Sequence, residues 1–96
     1  MNLDEIRSLL RAHTAELAQL GVQSLALFGS TVRGAATPSS DIDLLVDFER
    51  PVGLFAFVGI QQRLTEILGR QVDLVPRDGL KPGLRDAILT EAVPVA

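Results

Sequence analysis

Asp41-Ile42-Asp43 heads an unbroken apolar run, Leu44-Leu45-Val46, and this pattern restricts the fold more than any other in the chain. In a β-strand, residues i and i+2 point to the same face. Asp41 and Asp43 therefore project side by side, while Ile42 and Leu44 point the other way, into a core. Two carboxylates on one rigid strand suit a hard divalent cation such as Mg²⁺, which takes oxygen ligands and keeps several waters. Ten residues upstream, Gly29-Ser30 closes another apolar run, Ser24-Leu25-Ala26-Leu27-Phe28. A glycine there lets the backbone approach a phosphate, and the following turn can offer N–H groups and the Ser30 hydroxyl to it. A phosphate cradle beside a metal pair reads as nucleotide chemistry.

The elements around this pair follow from periodicity and punctuation. Leu3, Ile6, Leu9-Leu10, Leu17 and Leu20 recur at helical steps, predicting one amphipathic helix that ends near Gly21. Residues 23–28 and 42–48 read as strands, with Ser30 to about Gly34 as a short helix or turn and Thr37-Pro38-Ser39-Ser40 as turn chemistry. Leu54, Phe57-Val58, Leu64 and Ile67-Leu68 mark a second helix closed by Gly69, and residues 71–75 a third strand. Pro82 suits a helix start, and Leu84, Ala87-Ile88 and Ala92 predict a last helix before Pro94. The sum is a small α/β (α+β) unit, a short mixed sheet with helices packed on one face and the aspartates on the other. No repeat, low-complexity tract or linker interrupts it, so one domain over residues 1–96 is expected.

Phe28-Gly29-Ser30, ten residues, then Asp41-Ile42-Asp43 resembles the signature of the polymerase-β-type nucleotidyltransferase superfamily. The longer strings Gly29-Ser30-Thr31-Val32-Arg33-Gly34 and Ser40-Asp41-Ile42-Asp43-Leu44-Leu45-Val46 resemble its minimal nucleotidyltransferase branch, small proteins often paired with HEPN-domain ribonucleases. Val32 stands where the family commonly has a smaller residue. The family's third carboxylate lies on a later strand, and Val72-Asp73-Leu74-Val75 offers Asp73 for that place.

Composition narrows the chemistry. Apolar residues make up 47% of the 96, which favours a folded globule over disorder. Net charge is −3, a poor start for gripping a polyanion through counterion release, so bulk nucleic acid is not the expected ligand. There is no cysteine and a single histidine, His13, which leaves no thiolate chemistry and no Cys/His metal cluster. No apolar stretch is long enough for a bilayer, and Met1-Asn2-Leu3-Asp4-Glu5 lacks the basic start of a secretory signal, so a cytoplasmic location is expected.

Each candidate has an ordinary reading beside the functional one. Asp41, Asp43 and Asp73 could be solvated acids, yet each heads or interrupts an apolar strand where Asp is disfavoured. Converging to about 4 Å, each pair would repel by roughly 4 kcal/mol at an effective dielectric near 20, an arrangement that a cation or a proton relieves. Asp47 shares their face parity but lies about 13 Å along the strand from Asp43, so it reads as an exposed strand-end acid. Gly29 and Ser30 could form an ordinary helix cap, which is itself an anion site. Arg33 is within reach of a phosphate there, whereas Lys81 and Arg85 read as solvated side chains. His13, beside the first helical stripe, reads as a partly buried or surface contact, and Phe28, Phe48, Phe55 and Phe57 as packing.

The resemblance implies Mg²⁺-dependent transfer of a nucleoside monophosphate, AMP from ATP, to a hydroxyl of a partner protein. Gly29 and Ser30, with Arg33, would hold phosphates; Asp41, Asp43 and Asp73 would bind two metal ions and complete the catalytic set. It further implies an HEPN toxin as partner, with this chain as antitoxin. The chain contains no tyrosine, so a tyrosine acceptor would come in trans. A non-catalytic antitoxin, or nucleotidylation of a small molecule such as an aminoglycoside, is the alternative. Larger relatives carry added domains over the active site, so an open cleft is expected here.

Overall fold

The computed structural model describes residues 1–34, 37 and 39–96. Among the described residues, four α-helices, α1 (Leu3–Arg11), α2 (Thr14–Gln19), α3 (Leu54–Leu68) and α4 (Pro82–Glu91), accompany four strands, β1 (Val22–Phe28), β2 (Ile42–Phe48), β3 (Val72–Pro76) and β4 (Val93–Pro94). The sheet order is β3-β2-β1-β4, with β1 antiparallel to β2 and to β4, and β2 parallel to β3. Parallel neighbours cannot be joined by a tight hairpin, and α3 makes the crossover between them. This is the small α+β fold with a mixed sheet that the sequence predicts.

One sheet face carries the core. Leu25 and Leu27 of β1, Ile42, Leu44 and Val46 of β2, and Val72 and Leu74 of β3 meet Ile6 and Leu10 of α1, Leu17 of α2, and Ile60, Leu64 and Leu68 of α3. The period-two alternation of the strands and the three-and-four spacing of the helices fix this pairing. The opposite parity of the strands holds Phe28, Asp43 and Asp73 in one row, Ala26, Leu45 and Val75 in the next, and Ser24 paired with Asp47 beyond. The outer edge of β3 is closed by side chains of α3. Gln61 Oε1 accepts the Leu74 N–H at 3.1 Å and Thr65 Oγ1 the Val72 N–H at 3.2 Å, leaving less edge open to another strand.

Four departures from the sequence reading have physical causes. The first helix is broken at Ala12-His13, because His13 Nδ1 donates to the Leu9 carbonyl (2.8 Å) and Thr14 Oγ1 to that of Arg11 (2.9 Å). Polar side chains that capture carbonyls in this way compete with the helical ladder. Pro94, expected only to follow a helix, belongs to the edge strand β4, where a missing N–H is tolerated. Beside it Val95 is buried and its N–H donates to the Leu25 carbonyl at 2.9 Å. Phe55 is 93% exposed rather than packed, and Leu54 is also exposed, since the inward stripe of α3 runs through Ile60, Leu64 and Leu68. Phe48 and Phe57 do pack, edge to face, with ring centroids 6.2 Å apart. Lastly, α4 starts at Pro82 as expected but contributes no buried residue, and Leu84 is exposed.

Candidate active site

The register of the sheet builds the site. Asp43 of β2 stands between Phe28 of β1 and Asp73 of β3, each its direct register partner. Asp41 lies just before β2, exposed at the mouth of the strand, and Asp73 is exposed while Asp43 is half-buried. The carboxyl pKa of Asp43 is raised, first by burial and then by the charges of Asp73 and Asp41. Arg33 opposes the shift, and Glu91 adds to it. Asp41 and Asp73 are thus both within electrostatic reach of Asp43. Among the described residues, no three acidic or histidine side chains are drawn in closely enough to enclose an ion as they stand. The donor set is nonetheless all oxygen, anionic and mutually repelling, which fits a hard divalent cation.

Gly29 follows Phe28 and carries the chain past Asp43. Its φ is +82°, a conformation that costs other residues about 1–2 kcal/mol, and a Cβ built on it would collide with Asp43 Oδ2 and lie 3.1 Å from Asp43 Cγ. The sequence pattern anticipates close approach to Gly29 by a phosphate; in the structure a carboxylate already makes one. Residues 31–34 form turns, closed by Arg33 N–H donating to the Gly29 carbonyl (3.2 Å), rather than a helix. Ser30 is half-buried in this segment, and Arg33 is exposed. The expected cradle therefore consists of turn amides and a guanidinium, without a helix dipole behind it.

Two residues of this region escaped the sequence reading. Glu91, the last residue of α4, places Oε1 on the Gly29 N–H (3.0 Å) and on Arg33 Nη1 (2.8 Å). A carboxylate at a helix C-terminus is disfavoured by the helix dipole, and that misplacement was its one signal. Arg70 donates to the carbonyls of Thr37 and Ser40, holding the approach to Asp41. The Ser40 hydroxyl accepts the Thr37 N–H (2.8 Å), and Thr37 accepts the Ser40 N–H (3.0 Å). Pro38, part of the predicted turn, lies outside the described residues.

The remaining candidates fall elsewhere. Asp47, expected to be an exposed strand-end acid, is instead half-buried and paired. Its Oδ2 accepts from Ser24 Oγ (3.0 Å) and from Arg77 Nε (2.9 Å). It lines a concavity of about 410 Å³ with Phe48, Arg50 and Asp78, far along β2 from Asp43. Lys81 and Arg85 are exposed, and Nδ1 of His13 is taken up by the Leu9 carbonyl.

These features can be set beside known proteins. The description "Nucleotidyltransferase domain" matches residues 10–95, nearly the whole chain. This chain belongs to the nucleotidyltransferase domain family. The protein adenylyltransferase MntA of Thermococcus cleftensis is 44% identical over 94 residues, spanning 97% of this chain and 95% of that relative. A solved minimal nucleotidyltransferase is 38% identical with a TM-score of 0.81, covering 98% of this chain and 96% of that one. A toxin–antitoxin crystal structure with AMP-PNP aligns with a TM-score of 0.72 at 27% identity, over all of this chain and 73% of the other. The polymerase-β-type resemblance read from the motif is therefore that of an enzyme family to which the chain belongs, and the chain is a nucleotidyltransferase. Among the described residues, no helix is long and apolar enough to cross a membrane.

Two measurements probe this geometry. Gly29→Ala should lower stability by about 1–3 kcal/mol through its positive φ and the collision with Asp43. In an Asp43→Ala background the same change should cost less, leaving only the backbone part, and equal costs in the two backgrounds would separate Gly29 from Asp43. The second is pH. Because the folded pKa of Asp43 lies above its unfolded value, the native state binds the extra proton between the two, and stability falls as pH rises across that window. In metal-free buffer, thermal unfolding of the parent should therefore decline from the ordinary carboxylate range up through the raised pKa. Asp43→Asn should decline less, whereas parallel curves would remove carboxylate repulsion from the site.

Proposed function

We propose that this nucleotidyltransferase transfers AMP from ATP to a hydroxyl of a partner protein, with Mg²⁺ as its metal. The observation that carries the reading is the Asp43–Asp73 register pair beside the Gly29 turn. In this reading it would supply an anionic, oxygen-only cation site next to backbone amides and Arg33, as a nucleoside triphosphate requires. Protein as the acceptor class draws support from the similarity to the MntA protein adenylyltransferase. ATP and an antitoxin role draw support from the similarity to the toxin–antitoxin structure with AMP-PNP. A HEPN-type toxin is the proposed partner.

In this reading Asp41, Asp43 and Asp73 would hold the metal ions, which supply charge neutralisation for the triphosphate and a more acidic acceptor hydroxyl. The turn at Gly29 and Ser30, with Arg33, would bind and orient the terminal phosphates so that the α-phosphorus faces the acceptor. The acceptor oxygen forms a new bond to the α-phosphorus as the bond to pyrophosphate breaks in line, and the hydroxyl proton passes to solvent. Arg70 would keep Asp41 in place through the Ser40 carbonyl. The carboxylates Asp41 and Asp73 are exposed, so a large acceptor can approach them. Residues 1–96 would act as one domain, and the cytoplasm, where ATP and Mg²⁺ are available, is the proposed location.

The test is incubation of the chain with ATP, Mg²⁺ and the product of a neighbouring gene, read by intact mass. The partner should gain one or more AMP groups and stay modified after separation from this chain. Asp41→Asn/Asp43→Asn should keep its fold in EDTA and abolish the mass gain. No gain with the parent, together with full inhibition of the partner by the double variant, would leave a binder rather than a transferase.

A further inference from the structure

A single carboxylate oxygen of Glu91 takes up two donors of the proposed phosphate cradle, the Gly29 N–H at 3.0 Å and Arg33 Nη1 at 2.8 Å. An N–H directed at an anion beside a guanidinium is the donor arrangement that a phosphate oxygen seeks, and here a side chain of the protein fills it. We propose that Glu91 is an internal stand-in for phosphate, a carboxylate that occupies the Gly29–Arg33 anion site until the triphosphate of a nucleotide displaces it. The proposal rests on the reading that this turn binds phosphate, and it adds a resident competitor to that reading.

Three observations favour displacement over a permanent structural bond. The ion pair is open to water, with 59% of the Arg33 side chain and 21% of the Glu91 side chain exposed, and pairs of this kind are weak. Glu91 brings a further negative charge toward Asp43, which already faces Asp41 and Asp73, and it terminates a helix whose dipole disfavours it. Finally, α4 has no buried residue, so moving its last side chain disrupts no core packing. A triphosphate carries more charge than a carboxylate and would arrive with cations that relieve the aspartates, so the exchange favours it. Release of Glu91 would also loosen the junction of α4 with β4, making that end of the fold responsive to nucleotide occupancy.

Self-occupancy lowers apparent affinity by the fraction of molecules in which the site is open. Calorimetric titration of the whole chain with Mg²⁺-ATP, and separately with inorganic tripolyphosphate, tests this on the parent, Glu91→Ala, Glu91→Gln, Arg33→Ala and Asp86→Asn. Glu91→Ala should bind both ligands roughly three- to ten-fold tighter, and Glu91→Gln, which keeps an acceptor oxygen but surrenders its charge, by a smaller factor. The gain should persist at high salt, and Asp86→Asn on the same helix should change affinity by about two-fold or less, because through-space charge effects are screened there. In the parent, tripolyphosphate should shift the Gly29 amide resonance. Unchanged or weaker binding in both Glu91 variants, with Arg33-dependent binding intact in the parent, would overturn the internal competitor and leave the phosphate site standing. A Gly29 amide that stays fixed at saturating tripolyphosphate would also overturn the competitor, and would remove the Gly29 N–H from the phosphate site. If neither the parent nor any variant binds either ligand, the phosphate site itself is wrong and the competitor falls with it.

Discussion

The contact between the Asp43 carboxylate and the backbone of Gly29 is the constraint on which the rest of the site depends. Asp43 is held by its register between Phe28 and Asp73, and Gly29 must take φ +82° to carry the chain past it. Any side chain at Gly29 would push the carboxylate off its place. One glycine and one strand register thereby bring together two functions that sit ten residues apart in sequence. In the proposed reading, the cation site and the phosphate site share a wall.

Electrostatics then explains why such a site stays ready for ligand. Burial first, and then the charges of Asp73 and Asp41, raise the pKa of Asp43, so these carboxylates carry a repulsion that a proton or a cation relieves. The core bears the cost from the other sheet face, where Ile42 and Leu44 of the same strand pack against Ile60, Leu64 and Leu68 of α3. Alternation along β2 divides the labour. Ile42, Leu44 and Val46 of one parity stabilise the fold, while Asp43 and Asp47 of the other flank the buried Leu45 and hold charge where stability alone would not place it.

Much of this was legible in the residues. The strands β1 and β2 and the helix α3 have strong periodicity and clear ends, and Gly69 closes α3 in the left-handed conformation expected of a terminating glycine. The i, i+2 spacing points to Asp41 and Asp43, the family resemblance adds Asp73 on a later apolar strand, and the parallel pairing of β2 with β3 brings Asp43 and Asp73 together. The parts that were not legible depend on long-range or side-chain-specific contacts. The break at His13 comes from side chains capturing carbonyls within an otherwise continuous stripe. The strand β4 is only two residues long and contains a proline, so no local pattern announces it. Glu91 reaches Gly29 across a separation of 62 residues, a contact that exists only once β4 has docked α4 beside β1.

A paramagnetic probe addresses the convergence of these carboxylates most directly. Mn²⁺ takes the oxygen ligands that Mg²⁺ takes and broadens amide resonances near its binding point. Titrated at substoichiometric levels into the labelled chain, it should first broaden the amides of Gly29, Asp41, Asp43 and Asp73, while those of Asp47 and Arg77 at the far end of β2 and β3 stay sharp. Broadening centred on Asp47, or uniform weak broadening of every exposed acid, would show that the three aspartates do not form one site.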